Sequence, residues 1–268
     1  MDTQLTPPEA RVIETCLARS AVYRALAVLL RHPDAQTAAH LAAREHHQLP
    51  AVIERLSGQG AGPLTALARR VVTLVETTAP PEWTRQHEGL FGHTVQSFSP
   101  PYELEYGEEH SHRQPQELGD IAAFYQAFGL RVAACAHERA DHIVTECEFM
   151  QYLLYKQACA LDEELTEQAQ VCEEASRRFV ADHLGRWGPA FALRLSRAAG
   201  EGLLAVAGEW LLAWLMQECT RMQVPVGSYD LPLRSPKEAD VGCAACLPAQ
   251  MVEGQAGALG RSDGPTTC

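Results

Sequence analysis

Residues 138–158 read ERADHIVTECEFMQYLLYKQA, an acidic residue and a histidine followed by an amphipathic helical pattern. Apolar side chains recur every three or four residues at Ile143, Cys147, Met150 and Leu154, which is the spacing of one face of an α-helix. Asp141 stands where a helix N-cap belongs, because its carboxylate can accept free backbone N–H groups of the first turn. The stretch therefore predicts a helix that packs through one apolar face and has polar residues at its N-terminus.

Helical patterns continue through most of the chain. They predict helices over 9–31, 35–44, 50–57, 63–78, 82–91, 117–130, 138–160, 162–184, 187–197 and 200–222, separated by prolines, glycines and polar turns. The predicted fold is all-α, a single helical bundle of about ten helices in two layers over residues 1–231. Irregular segments near 92–116 and 131–140 are expected to separate an N-terminal from a C-terminal layer. The Pro- and Gly-rich residues 232–268 predict a flexible tail.

Net charge and composition indicate which kinds of molecule this protein could bind. The 268 residues include 34 acidic and 22 basic side chains, a net charge of −12, which disfavours nucleic acid and anionic membranes and favours a basic peptide. The sequence shows no export signal, and its apolar runs fall short of the roughly 20 residues that span a bilayer. Its cysteines are scattered through predicted helices rather than spaced as a disulfide framework. These features predict a cytoplasmic protein without membrane insertion.

Several short motifs occur together in a recognisable order. They are Glu88-Gly89-Leu90-Phe91-Gly92, Ser99-Pro100-Pro101-Tyr102-Glu103, Phe124–Leu130, Glu138-x-x-Asp141-His142 with the following Glu-x-Glu-Phe-Met, and Phe179-x-x-x-His183-Leu184 with Trp187. The ordered set resembles the TorD/DmsD/NarJ family, cytoplasmic chaperones dedicated to maturing molybdenum oxidoreductases, over roughly residues 15–220. The chain departs from the family pattern at Ala140, where proline often precedes the aspartate, and at His87, where the family has an aromatic residue.

The resemblance implies a helical binding protein and not an enzyme. Its partners would be the apo catalytic subunit of a molybdenum oxidoreductase and that subunit's twin-arginine leader, held until cofactor insertion so that export is delayed. The client, and not this chain, would carry the molybdenum bis-pyranopterin guanine dinucleotide cofactor. Monomer and homodimer both remain open. The expected peptide-binding residues are Leu90, Phe91, Tyr102, Glu103, Glu105, Tyr125, Glu138, Asp141 and His142.

Simple physical reasons support the acidic and aromatic members of this set. Carboxylates pair with guanidinium groups and tyrosine rings stack on them, so the run from Tyr102 to Glu109 suits a twin-arginine segment. The alternative for that run is a solvated acidic loop. The alternative for Asp141 and His142 is a helix cap beside an exposed histidine.

Two other functions compete with the leader-binding chaperone. One is a helical metal-dependent enzyme or redox protein that uses His110, His112 and the tail cysteines, above all the weak metal candidates Cys243 and Cys246. A C-x-x-C pair supplies only half of a four-thiolate site, and no complete catalytic motif is present. The other is an assembly factor that recognises the client's folded body rather than its leader. The sequence does not identify the client.

Overall fold

The computed structural model describes residues 7–34, 37, 45–57, 62–92, 97–107, 114–133 and 138–234. Within these ranges every regular element is helical, and the only β pairing consists of two isolated bridges, Tyr102 with His142 and Tyr106 with Leu233. The all-α prediction is confirmed. The predicted helix over 35–44 falls almost entirely outside the described residues. The metal candidates His110, His112, Cys243 and Cys246 also lie outside them.

The helices follow the predicted order with shifted ends. They are α1 Pro7–Leu30, α2 Leu49–Ser57, α3 Pro63–Thr77, α4 Pro80–Phe91, α5 Gln114–Ala127, α6 Ile143–Asp162, α7 Thr166–Phe179, α8 Gly185–Ala199 and α9 Leu203–Met222. Single 3-10 turns occupy Glu45–Gln48 and Glu103–Glu105, and a π-turn at Val180–Leu184 joins α7 to α8. Prolines open α3 and α4, where the missing N–H would have no intrahelical partner.

The start of α6 differs from the prediction. The helix begins at Ile143 instead of residue 138, and its N-cap is His142, whose Nδ1 accepts the N–H of Val144 at 3.1 Å. The assignment of Asp141 as the N-cap was therefore wrong.

The reason lies in a distant segment of the chain. The Glu103 N–H donates to the Asp141 carbonyl at 2.9 Å, and the Ile143 N–H donates to the Pro101 carbonyl at 2.9 Å. This short extended pairing holds the backbone before α6 outside the helical conformation.

Packing does not follow chain order. The most extensive helix contacts are those of α1 with α6 and of α8 with α9, and α9 also packs on α3. N-terminal and C-terminal helices are thus in direct contact, and the separation of two layers by the segments 92–116 and 131–140 stays a prediction. Burial of a large apolar side chain stabilises the fold by about 1.5–3 kcal/mol. The largest fully buried side chains in the described residues are Trp187, Trp210, Trp214, Tyr23, Tyr106, Phe179 and Phe191.

One buried ion pair joins the first and last helices of the bundle. Arg19 of α1 donates to both carboxylate oxygens of Glu218 on α9, with N–O distances from 2.8 to 3.1 Å. Both side chains are buried, and the fork geometry satisfies the carboxylate. Among the described helices none is long and apolar enough to cross a membrane.

The chain after α9 returns to the loop that precedes α5. The Gly107 N–H donates to the Pro232 carbonyl and the Arg234 N–H to the Glu105 carbonyl, both at 2.8 Å. Arg234 also pairs with Glu117 of α5 at 2.9 Å. Residues 232–234, which the sequence analysis placed in the tail, are therefore part of the folded unit.

Candidate functional site

The loop from residue 97 to 107 lies against the beginning of α6, and its acidic residues are not a uniformly solvated run. Glu103 is only 1% exposed. Its carboxylate accepts a hydrogen bond from His183 Nδ1 at 3.1 Å and pairs with Arg186. Glu103 therefore ties the loop to the π-turn and the start of α8, and its carboxylate is already occupied.

Asp141 is the second buried carboxylate of this region. It accepts the Leu104 N–H at 3.1 Å and the guanidinium of Arg139 through Nε at 2.9 Å and Nη2 at 2.6 Å. Arg139 also reaches Glu105 at 3.3 Å and lies 4.6 Å above the ring centre of Tyr102. An internal arginine thus already occupies Tyr102 and Glu105, two of the residues expected to receive the leader.

Glu146 is the third buried carboxyl. The indole Nε1 of Trp187 lies 3.1 Å from each of its oxygens. Burial, together with the nearby charge of Glu103, raises the pKa of Glu146 well above its usual range. The contact between Glu146 and Trp187 fixes α6 against α8.

His142 is neutral and its tautomer is determined by its contacts. Because Nδ1 accepts the Val144 N–H, the ring proton is carried on Nε2, which lies 3.8 Å from Glu138. Burial, with a smaller contribution from His87, lowers the pKa of His142 to about 3. Burial also lowers the pKa of His87 to about 4. Neither imidazole brings positive charge to the site at neutral pH.

Glu138 is a half-exposed carboxylate that, unlike Glu105, is not paired with an arginine in the described part of the chain. Its side chain is 40% exposed, and the Tyr102 hydroxyl lies 3.5 Å away. Burial raises the pKa of Glu138 above its usual value, with the Tyr102 hydrogen bond opposing. Arg139 is directed to Asp141 and Glu105, so among the described residues Glu138 forms no ion pair with a permanent cation.

Glu138 faces a cavity of about 780 Å³ between the end of α1, α4 and α6. Aromatic side chains form much of its wall, and the ion pair of Arg31 with Glu148 lies at its edge. Polar and charged side chains, among them Arg131, share the wall with the aromatic ones, and a concave lining of both kinds is typical of a binding site. The lining residues that matter here are Tyr125, Glu138, His142, Glu148, Phe149 and Tyr152.

The structure brings together only part of the predicted set. Tyr125, Glu138 and His142 line the cavity, and the ring of Tyr102 contacts that of His142 at 5.1 Å between centroids. Glu103 and Asp141 do not line the cavity and are engaged in internal ion pairs.

Leu90 and Phe91, two further residues of the predicted set, do not line the cavity. The ring of Phe91 contacts the cavity-lining His87 at 4.7 Å between centroids. Leu90 lines a separate depression of about 670 Å³ beside Phe98.

Sequence reasoning missed the face that α6 presents to the cavity. Thr145, Glu148, Tyr152 and Tyr155 line it and are spaced by three or four residues. That spacing puts them on one helical face, and this signal was available in the sequence. Within the described ranges no group of three or more His, Cys, Asp or Glu side chains is arranged to hold a metal ion.

Comparison with known proteins gives consistent similarities. The family described as "Nitrate reductase delta subunit" matches residues 55–193. The chain is 32% identical over 192 residues to the perchlorate reductase assembly chaperone protein of Dechloromonas aromatica, covering 66% of this chain and 77% of that protein. It is 33% identical over 78 residues to the chlorate reductase assembly chaperone protein of Ideonella dechloratans, covering 29% of this chain and 39% of that protein. It is 34% identical over 104 residues to the chaperone protein TorD of Photobacterium profundum, covering 39% of this chain and 47% of that protein.

Proposed function

Because this chain belongs to the TorD/DmsD/NarJ family, we propose that it is a cytoplasmic assembly chaperone, and not an enzyme, for the catalytic subunit of a molybdenum oxidoreductase. The relatives named as assembly chaperones for perchlorate and chlorate reductases support this client class. The client carries the molybdenum bis-pyranopterin guanine dinucleotide cofactor, and this chain needs none of its own.

The cavity beside Glu138 is the proposed site for the client's twin-arginine leader. The observation that carries this proposal is a half-buried carboxylate that faces an aromatic-walled cavity and, among the residues described, has no permanent cation as partner. A guanidinium group pairs with a carboxylate through two N–H donors and stacks on aromatic rings, so an arginine side chain fits this site.

The other wall residues supply most of the affinity. An exposed ion pair contributes about 0–1 kcal/mol, whereas buried apolar surface contributes about 25 cal/mol per Å². The apolar segment of a leader would therefore be held by Phe149, Tyr152 and Tyr125, and the charge at Glu138 would orient it.

Glu103 and Asp141 have a supporting role in this proposal. Both are buried and already paired, so they hold the loop and the start of α6 in place beneath the peptide. Leader arginines meet Glu138 first, because Arg139 covers Tyr102 and Glu105.

The chaperone acts by binding alone, because a bound client cannot be exported. Binding to the apo client and its leader stabilises the cofactor-receptive state in proportion to RT ln(1 + [chaperone]/Kd), and no covalent bond is made or broken. Cofactor insertion changes the client, lowers its affinity for the chaperone and frees the leader for export.

Calorimetric titration with a synthetic leader peptide tests the site. The peptide is the twin-arginine leader of a molybdenum oxidoreductase catalytic subunit, the proposed class of client. Glu138→Gln should weaken binding by about 2- to 5-fold, and replacing both peptide arginines with lysines should weaken binding to the wild-type chain similarly, because lysine cannot form the bidentate contact. The matched control is Glu163→Gln, an exposed position at the far end of α6, which should leave the affinity unchanged.

Three results would overturn the proposal in part or in whole. Equal affinities for the wild type and Glu138→Gln would remove the carboxylate from the site. A client that lacks its leader but is still captured with full affinity would show that the chaperone recognises the folded body instead. No binding of leader or client at any concentration would remove the chaperone assignment itself.

A further inference from the structure

A depression of about 670 Å³ lies between the end of α4, the loop at 97–99 and α8, and we call it the α4–α8 depression. Of the described residues, none lines both this depression and the cavity beside Glu138. Helix α4 nevertheless contributes to both, because His87 lines the cavity and the next three residues line the depression. The two sites are therefore neighbours, and one large partner can occupy both at once.

Two arginines of α8 give the α4–α8 depression a positive charge. Arg194 and Arg197 both line it, and neither forms an ion pair with any residue that the structure describes. Arg194 Nη2 donates to the Leu231 carbonyl at 3.1 Å, which holds the guanidinium group without neutralising it. Among the described lining residues the one carboxylate is Glu88, which has His32 at 3.9 Å. On a chain with a net charge of −12, this locally positive site attracts a carboxylate.

An aromatic ring lines the same depression and is open to solvent. Phe98 is 79% exposed, the highest value among the large apolar side chains of the described residues. Both of its neighbours are held in place, since Ser97 Oγ donates to the Leu90 carbonyl at 2.8 Å and Ser99 Oγ donates to the Phe191 carbonyl at 3.3 Å. An anchored loop thus presents the ring beside two arginines, and aromatic residues and arginine are enriched at protein interfaces.

Gly89 leaves bare backbone in the wall of the depression. It lies inside α4, where glycine is less favourable than alanine. A Cβ at this position would meet no heavy atom within 4 Å, so internal packing does not require glycine here. Glycine also lets the backbone of a ligand approach closely. The position therefore suits contact with the main chain of another polypeptide.

Resting on the function proposed above, we propose that the α4–α8 depression binds an acidic segment of the client's mature catalytic subunit, in which a carboxylate stands next to an apolar side chain. The carboxylate pairs with Arg194 and Arg197, and the apolar side chain packs against Phe98 and Leu90. A twin-arginine segment is excluded because it would meet like charge. Leader and mature body are then held at separate sites, and binding at one raises the effective concentration at the other.

Titration of the full chain with a leaderless apo catalytic subunit tests the proposal. The subunit is that of the molybdenum oxidoreductase whose leader peptide binds in the calorimetric titration. Arg197→Glu should weaken binding of this subunit by about 5- to 10-fold, because the change replaces an attraction with a repulsion. Arg11→Glu is the matched control, since it makes the same charge change at an exposed position of α1 outside the depression and should leave the affinity unchanged. The isolated leader peptide should bind equally to all three proteins.

Two glycine variants separate binding from folding. Gly89→Gln on α4 and Gly119→Gln on α5 should both raise the urea midpoint, because each adds a side chain where nothing lies within 4 Å of the new Cβ. Only Gly89→Gln places that side chain in the depression. It should therefore weaken binding of the leaderless subunit by about 5-fold, whereas Gly119→Gln should not change it.

A photoreactive benzophenone side chain in place of the exposed ring of Phe98 identifies the occupant by cross-linking to the full client. The cross-linked segment should lie in the mature subunit and carry aspartate or glutamate next to an apolar residue. A basic segment, the leader itself or a second copy of this chain at that position would overturn the proposal.

The titrations also separate this proposal from the leader site. Equal affinities of the wild type and Arg197→Glu for the leaderless subunit overturn it, as does a leaderless subunit that does not bind the wild type. If the leader peptide still binds in that case, the site beside Glu138 stands. Loss of binding by both leader and subunit would instead remove the chaperone assignment, and this proposal with it.

Discussion

Replacing Glu146 with glutamine should change how the stability of this protein depends on pH. Glutamine matches the shape of the protonated glutamate, and its Oε1 can still accept the indole N–H of Trp187. The variant should therefore keep the wild-type contact between α6 and α8 but lose the titration.

The magnitude follows from the direction of the pKa shift. Above about pH 4.3 the unfolded chain releases the Glu146 proton, whereas the folded protein retains it because its pKa is raised. The folded wild type is then the state that binds more protons, so its free energy of unfolding falls by about 1.4 kcal/mol for each pH unit until the folded pKa is reached. The free energy of unfolding of Glu146→Gln, measured against that of the wild type, should therefore rise by the same amount for each pH unit.

Two buried histidines change the free energy of unfolding with pH in the opposite direction. Their contribution is the same in the wild type and in the variant, so it drops out of the difference between the two proteins. His87 and His142 have folded pKa values of about 4 and about 3, below the value of about 6.5 in an unfolded chain. Below about pH 6.5 these histidines gain a proton in the unfolded chain but stay neutral in the folded protein. The free energy of unfolding therefore decreases as the pH falls. The decrease is the same in the wild type and in Glu146→Gln.

Urea unfolding between about pH 5 and pH 8 measures the effect. The free-energy difference between Glu146→Gln and the wild type should grow with pH above about 4.3 and become constant once the pH has passed the folded pKa of Glu146. Glu163→Gln, on the exposed end of the same helix, should run parallel to the wild type. Parallel curves for Glu146→Gln as well would show that Glu146 is ionised in the folded protein, and the reasoning from burial would be refuted.

Three further predictions concern stability and are all measured by urea unfolding. Arg19→Ala should cost about 1.5–3 kcal/mol because it removes the bidentate partner of buried Glu218 and leaves only Arg221 at 3.4 Å, and the pair replaced together by methionine and leucine should recover most of this loss. Gly208→Ala should cost about 1–3 kcal/mol because its Cβ would lie 2.8 Å from a backbone oxygen of α8, whereas Gly119→Ala in open space on α5 should gain about 0.5–1 kcal/mol. His142→Ala should cost about 1 kcal/mol through loss of the N-cap, and His142→Asn should retain most of it.

Local patterns in the sequence predict the helices well because each helix carries its own signal. Apolar spacing along 9–31 and 200–222 corresponds closely to α1 and α9. The prolines at 63 and 80 mark the starts of α3 and α4, although the second of these helices was predicted to begin at residue 82. The cavity beside Glu138 was also partly predictable, since Glu138 and His142 are neighbours along one short motif.

The errors all involve partners that are distant in sequence. Glu103 resembles a solvated loop residue until His183, 80 residues away, is placed beside it. Asp141 resembles a helix cap until the loop at 101–103 pairs with its backbone. Local pattern cannot encode such contacts, because tertiary hydrogen bonds override the local preference of the segment.

The π-turn at Val180–Leu184 makes the length of the chain at this point critical. A π-turn holds one residue more than the α-helical turn that would replace it, and each α-helical residue advances the helix by about 100°. Deleting one residue here would rotate all of α8, carrying Trp187 away from Glu146 and Phe191 out of the core. Insertions and deletions should therefore be tolerated far less at this junction than substitutions on its exposed side.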